Sequence, residues 1–112
     1  MFFEIVVKPE KNYIIVKLDG WITRTNYNLI LKQVEELEEE FYQNVAFNFL
    51  EAKKIDSSGI KLLIKAASVF RKCCIYNIPK NILDVFETFN LTSKLVFFKD
   101  DTQLEFFFKN EV

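Results

Sequence analysis

Apolar and polar residues alternate from the start of the chain. Phe3, Ile5 and Val7 fall on one side and Glu4, Val6 and Lys8 on the other, which predicts a β-strand closed by Pro9. After a turn over residues 9–12, the β-branched run Tyr13-Ile14-Ile15-Val16-Lys17-Leu18 predicts a second strand, stopped by Asp19-Gly20. The two read as an antiparallel hairpin. The period then changes. Trp21-Ile22-Thr23-Arg24 leads into a helix with Thr25 or Asn26 as its N-cap, and Tyr27, Ile30, Val34, Leu37 and Phe41 recur three or four residues apart along one face. Glu35, Glu36, Glu38, Glu39 and Glu40 fill the rest of its second half. A solvated face accounts for them, with docking of a basic partner as the alternative.

Val45, Phe47 and Phe49 alternate with Ala46, Asn48 and Leu50, nearly all apolar, as a strand covered on both faces requires. Residues 51–55 read as a connection. Ile60, Leu63, Ile64 and Ala67 then form a second helical stripe, backed by Leu62, Val69 and Phe70. Cys73-Cys74-Ile75-Tyr76 is a short strand between breakers. Pro79 suits the first turn of a third helix, whose buried face is Ile82, Val85, Phe86 and Phe89 and whose end is Asn90. Leu95-Val96-Phe97-Phe98 is the last strand. Asp100 and Gln103 have the spacing of a capping box for a final helix with Leu104, Phe107 and Phe108 inward. The order β-β-α-β-α-β-α-β-α predicts a single α/β domain over residues 1–112, with a mixed, mostly parallel sheet of about five strands, right-handed crossovers and about four helices. Sites in such a sheet collect beyond the carboxyl ends of the strands, where the loop after Leu18 and the one after Leu50 could both lie.

Composition narrows the function. The 112 residues are 50% hydrophobic and 28% charged with a net charge of −1, so the chain can bury a core and has no electrostatic footprint for nucleic acid. It contains no histidine, which removes the common metal ligand sets and any Ser-His or Cys-His nucleophile pair; no metal or cofactor is expected. Adjacent Cys73 and Cys74 would point to opposite faces of a strand, so buried thiols in a reducing compartment are expected rather than a bridge. The N-terminal stretch lacks a basic region and carries Glu4, unlike a signal peptide, and no apolar run is long enough to span a bilayer. A soluble cytoplasmic protein without membrane contact is expected.

The chain holds two glycines, Gly20 and Gly59, where average usage of ~7% would give about eight. Both lie in strand-to-helix junctions. The second is Asp56-Ser57-Ser58-Gly59, whose first three residues are all good N-caps. Capping is one account of them. The other is compatible with it: a hydroxyl beside the unpaired N–H groups and positive end of a helix suits a covalent or bound phosphate. Phosphorylation there would add about −1.5 to −2 charges beside Asp56 and switch binding with little refolding.

Over nearly its whole length the chain resembles the STAS-domain family of anti-sigma-factor antagonists. The resemblance rests on the opening strand pair ending in Gly20, the helix from Asn26 to Phe41, and the apolar strand entering Ile55-Asp56-Ser57-Ser58-Gly59-Ile60. It continues in the proline-led helix from Pro79 to Phe86 and the closing Asn90-Leu91. It implies a domain that binds an anti-sigma factor, itself a serine kinase, and so frees a sigma factor. It also implies phosphorylation of Ser57, the serine directly after the motif aspartate, to end that interaction, and a phosphatase to reset it. By position Asp56 shapes the site, Ser58 and Gly59 open the helix and Ile60 starts its packing. With Trp21, Thr23 and Arg24 of the first loop, residues 56–60 form the expected partner-binding set. Trp21 is either a binding anchor or a cap on the core.

Two departures from the family pattern stand out. Many phosphorylatable members read Gly-x-[aliphatic]-Asp in the first loop, where this chain has Gly20-Trp21-Ile22-Thr23 and so lacks the acid that often helps contact the kinase. The stretch between the motif helix and Cys73 is a few residues short and has no glycine turn. The expected function is a phospho-switched antagonist. The alternative is a STAS module that docks constitutively in another signalling or transport assembly, without serine chemistry. No base is positioned to activate a serine, so an enzyme is not expected.

Overall fold

A computed structural model of the chain describes residues 3–40, 42–91 and 95–110. Strands β1 (Phe3–Pro9) and β2 (Ile14–Ile22) form the antiparallel hairpin, with Phe3 opposite Gly20 and Pro9 opposite Ile14. Asp19-Gly20 does not stop β2. Gly20 takes a φ of 101°, open to a residue without Cβ, and the ladder shifts register between Gly20 and Trp21. The extra residue at that shift, Lys53, belongs to the partner strand, and β2 itself runs on through Ile22.

The β2 edge carries two parallel partners in succession. Strand β3 (Asn44–Asn48) pairs from Ile14↔Val45 to Lys17↔Asn48, and β4 (Ala52–Ile55) takes over from Gly20↔Ala52 to Ile22↔Ile55. The sheet therefore has six strands rather than five, and the stretch expected to be a connection is largely β4. Between the two, the Asn48 side chain accepts from Leu50 N at 3.0 Å and bends the chain, and Gly20 N donates to Glu51 O at 3.0 Å where pairing resumes.

Strands β5 (Lys72–Tyr76) and β6 (Leu95–Phe98) complete the parallel part, in the order β1-β2-β3-β5-β6. Helices α1 (Tyr27–Glu39), α2 (Ser57–Val69) and α3 (Lys80–Phe89) bury Val34, Leu63 and Phe86 with Val16, Phe47 and Ile75 in the main core. Helix α4 (Asp101–Lys109) covers the other face, where Leu104 and Phe108 meet Ala46, Cys74 and Tyr76.

Local signals mostly hold. Asp100 accepts from Gln103 N at 3.0 Å while the Gln103 side chain accepts from Lys99 N at 2.7 Å, a reciprocal cap for α4. Asn90 ends α3 in the left-handed region, and Pro79 stands just before the helix, its carbonyl accepting from Leu83 N at 2.9 Å. The five glutamates of the α1 region are all exposed, as a solvated face would be; Phe41 lies outside the described residues. Three details differ. Asn26 occupies the α1 N-cap position, but its amide donates to Trp21 O at 2.8 Å instead of capping. Phe89 is 50% exposed on the outer side of α3. Helix α2 buries Ile60, Leu62, Leu63 and Ala66, a stripe one residue off the expected one, leaving Ile64 outside.

Candidate functional site

Helix α2 begins where β4 ends, and its first turn packs against the end of β2. Gly59 is buried at this contact. A Cβ there would collide with the Ile22 carbonyl oxygen and come within 2.6 Å of Ile55 Cγ1, so only glycine lets the helix approach this closely. Ile60 follows into the core. The glycine thus fixes both the position and the rotation of α2, and with them the direction in which Ser57 and Ser58 point.

Asp56 precedes the helix in extended conformation and caps it. One carboxylate oxygen accepts from Gly59 N at 3.0 Å. The other accepts from Arg24 N at 3.1 Å, in the 3₁₀ turn Arg24–Asn26 that follows β2. Partial burial pushes the Asp56 carboxyl up, but hydrogen bonds from the backbone of Gly59, Arg24, Ser58 and Asp56 itself outweigh it and hold the group below its ordinary value. An ionised carboxylate therefore pins the first loop to the second. Ser57, the first residue of α2, stands exposed beside this link, and Ser58 is half-buried.

Ser58 lines an open cleft of about 370 Å³ with Arg24, Tyr27, Asn28 and Lys61. Arg24, Asp56, Ser57, Ser58, Gly59 and Ile60 are thereby gathered at one end of the sheet. Trp21 is not brought to Ser57. It alternates with Ile22 and looks to the other face of the sheet, half-buried, with Lys54 Nζ 4.8 Å from its ring centroid. There it lines a second cleft, of about 430 Å³, with Lys17, Asp19 and Lys53. Thr23 is only 6% exposed, and its hydroxyl finds no hydrogen-bond partner among the described residues. Thr23, Gly59 and Ile60 shape the surface from beneath, and Arg24 and Ser57 stand on it. Lys61 and Asn28 were not in the expected set. Lys61, one helical turn beyond Ser57, carried a signal that spacing alone could have supplied.

The family model for the STAS domain matches residues 4–103. The chain belongs to the STAS domain family. No curated protein matches the sequence. Among solved structures, the domain is similar to an anti-sigma factor antagonist from Mycobacterium paratuberculosis, at 8% identity over 97% of this chain and 96% of that one, with a TM-score of 0.89. It is also similar to the anti-sigma factor antagonist SpoIIAA in its unphosphorylated form, at 12% identity over 99% of this chain and 100% of that one, TM-score 0.73. The phosphorylated form of SpoIIAA, the Bacillus cell fate determinant, aligns at 14% identity over 95% of this chain and 99% of that one, TM-score 0.69. At these identities the likeness is one of fold.

Among the described residues, no group of His, Cys, Asp or Glu could hold a metal ion. No helix among them is long and apolar enough to cross a membrane. The STAS domain has the makings of a binding surface: two loops joined by a hydrogen bond, the exposed Ser57 hydroxyl and a charged cleft beside it.

Proposed function

We propose that this STAS domain is an anti-sigma-factor antagonist of the cytoplasm, which binds an anti-sigma factor that is also a serine kinase and so releases a sigma factor. Phosphorylation of Ser57 ends the interaction, and a serine phosphatase restores it. The observation that carries this reading is the Asp56 carboxylate, committed to two backbone N–H groups, with the Ser57 hydroxyl exposed next to it at the start of α2. The likeness in fold to SpoIIAA, whose structure has been determined in both phosphorylation states, is consistent with it.

In the reaction the Ser57 oxygen attacks the γ-phosphorus of ATP held by the kinase. The new O–P bond forms as the bond to ADP breaks, and the hydroxyl proton passes to a base on the kinase. This chain supplies only the acceptor. The product sits at the positive end of α2, which favours the added charge, so the fold need not change. What changes is the surface, which gains about −1.5 to −2 charges.

The test is to incubate the domain with ATP and each anti-sigma kinase of its source genome and to map the modified residue. Phosphate on Ser57, absent in Ser57→Ala, is the expected result. An unmodified Ser57 with every kinase, alongside undiminished binding, would instead establish constitutive docking, the reading that a buried Thr23 in place of the first-loop acid favours.

A further inference from the structure

The exposed side of α2 is cationic and carries no acid. Between Ser57 and Val69 the helix contains Lys61 and Lys65 and neither Asp nor Glu. Ser57, Lys61, Ile64, Lys65 and Ser68 fall within one helical face, and all are exposed. Ile64 lies along one edge of that face, beside the lysines, with 49% of its surface open. Arg24 extends the charge across the neighbouring loop, since it and Lys61 line the same cleft. Arg24, Lys61 and Lys65 form no ion pair among the described residues.

The acids closest in sequence do not cancel this charge. Asp56 turns its carboxylate toward backbone N–H groups, and Glu51 pairs with Lys53 at 3.6 Å. Thr23, at the position where the family pattern has an acid, is buried, and the side chain that follows it on the surface is a guanidinium. The asymmetry is local, because the whole chain has a net charge of −1 and the exposed side of α1 is acidic.

Resting on the partner-binding reading above, we infer that this face docks an acidic protein surface, one that presents Asp or Glu side chains beside an apolar contact for Ile64. Cations beside an exposed apolar residue complement acids beside an apolar pocket, and such complementarity sets register and association rate. A nucleic acid fits less well: three cations neutralise few phosphates, and the glutamates of α1 would meet the rest of the strand. The same arrangement explains how a phosphate on Ser57 would act. It would offset half or more of the three positive charges and stand opposite the partner's own acids.

The test uses the full ¹⁵N-labelled chain, titrated separately with an oligoglutamate peptide, an oligolysine peptide and a single-stranded oligodeoxynucleotide. Oligoglutamate is expected to shift the amides of Arg24, Ser57, Lys61 and Lys65, and the double variant Lys61→Glu/Lys65→Glu, checked for unchanged thermal unfolding, to bind it at least ~10-fold more weakly. Oligolysine is expected to shift α1 instead. Oligoglutamate shifts scattered over other lysines, or tighter binding of the oligonucleotide at the α2 face, would overturn the inference. A separate arm addresses the proposed function: an anti-sigma factor that binds the wild-type chain and the double variant equally would overturn the acidic docking surface while leaving the antagonist reading intact. If no anti-sigma factor binds, the antagonist reading fails, and the peptide titrations still decide the inference.

Discussion

The carboxylate of Asp56 accepts a hydrogen bond from the backbone N–H of Arg24, 32 residues earlier in the chain, at 3.1 Å. That contact makes one unit of two loops which the sheet only brings close. The same carboxylate caps α2 through Gly59 N. Replacing Asp56 with Ala is expected to cost about 0.5–2 kcal/mol from the cap alone. The loss of the link to Arg24 should appear separately, as faster hydrogen exchange at the Arg24 amide.

A pH dependence follows from the same residue. The folded-state value of Asp56 lies below its unfolded one, so its ionised form favours folding. Its contribution is fully present above the unfolded carboxylate range near pH ~4 and is lost as pH falls through the lower, folded value. Urea unfolding of wild type and Asp56→Asn across that window is the measurement. The difference in stability between them should shrink toward acid, and a constant difference would show that the charge plays no part.

The two glycines should respond differently to alanine. At Gly59 the new methyl group meets the backbone carbonyl of Ile22 in the core, which cannot move without displacing β2. Gly59→Ala is expected to destabilise the domain by about 1–3 kcal/mol, the range for overpacking. Gly20→Ala instead forces a residue with Cβ to a φ of 101° within a strand, a strain of order 1–3 kcal/mol. Denaturant midpoints measure both. Gly59→Ala is also expected to weaken partner binding under conditions where the variant stays folded, because it displaces Ser57.

Substitutions at Ser57 separate the two functional readings. Ser57→Ala should fold normally and bind the partner at wild-type strength, since the side chain is exposed. Ser57→Asp places one negative charge where the phosphate would add about two. Under the switch reading its affinity should fall at least ~10-fold, about 1.4 kcal/mol. Equal affinity of both variants by titration calorimetry would support constitutive docking.

Much of this was legible in the chain, and what was not has identifiable causes. The hairpin, the α4 capping box and the Asn90 stop are local, and local patterns reported them. Strand β4 escaped because Ala52 and Ile55 point inward with exposed Lys53 and Lys54 between them, which is not the alternation of a strand. Gly20 read as a stop because a glycine after an aspartate usually ends a strand, whereas here β2 passes through it at a φ of 101° and continues beside a new partner. Helix α2 is apolar around much of its circumference, so periodicity could not set its rotation. Gly59 against Ile22 sets it, and that contact is tertiary. The site residues Arg24 and Asp56 were both expected from sequence, but the hydrogen bond joining them was not.

Thr23 gives the sharpest test of the first loop. Its side chain is buried beneath the loop, and its hydroxyl meets no hydrogen-bond partner among the described residues. A buried polar group left in that state costs about 1–3 kcal/mol. Thr23→Val keeps the shape and removes the hydroxyl, so it should leave stability unchanged or raise it by about 1 kcal/mol. A loss of that size would show that the hydroxyl has a partner in solution, most simply an ordered water. Thr23→Asp should do the opposite. It restores the acid of the family pattern at a position where a carboxylate would be enclosed, and an unpaired buried charge is far more costly than a hydroxyl. The variant is therefore expected to unfold at lower urea than wild type, by more than ~3 kcal/mol, unless the loop turns outward. If it does turn outward, the Asp56–Arg24 hydrogen bond must break, and the Arg24 amide would report that as lost exchange protection. Either result ties the missing acid to the way this loop is packed, and a stable Thr23→Asp domain with Arg24 still protected would refute that.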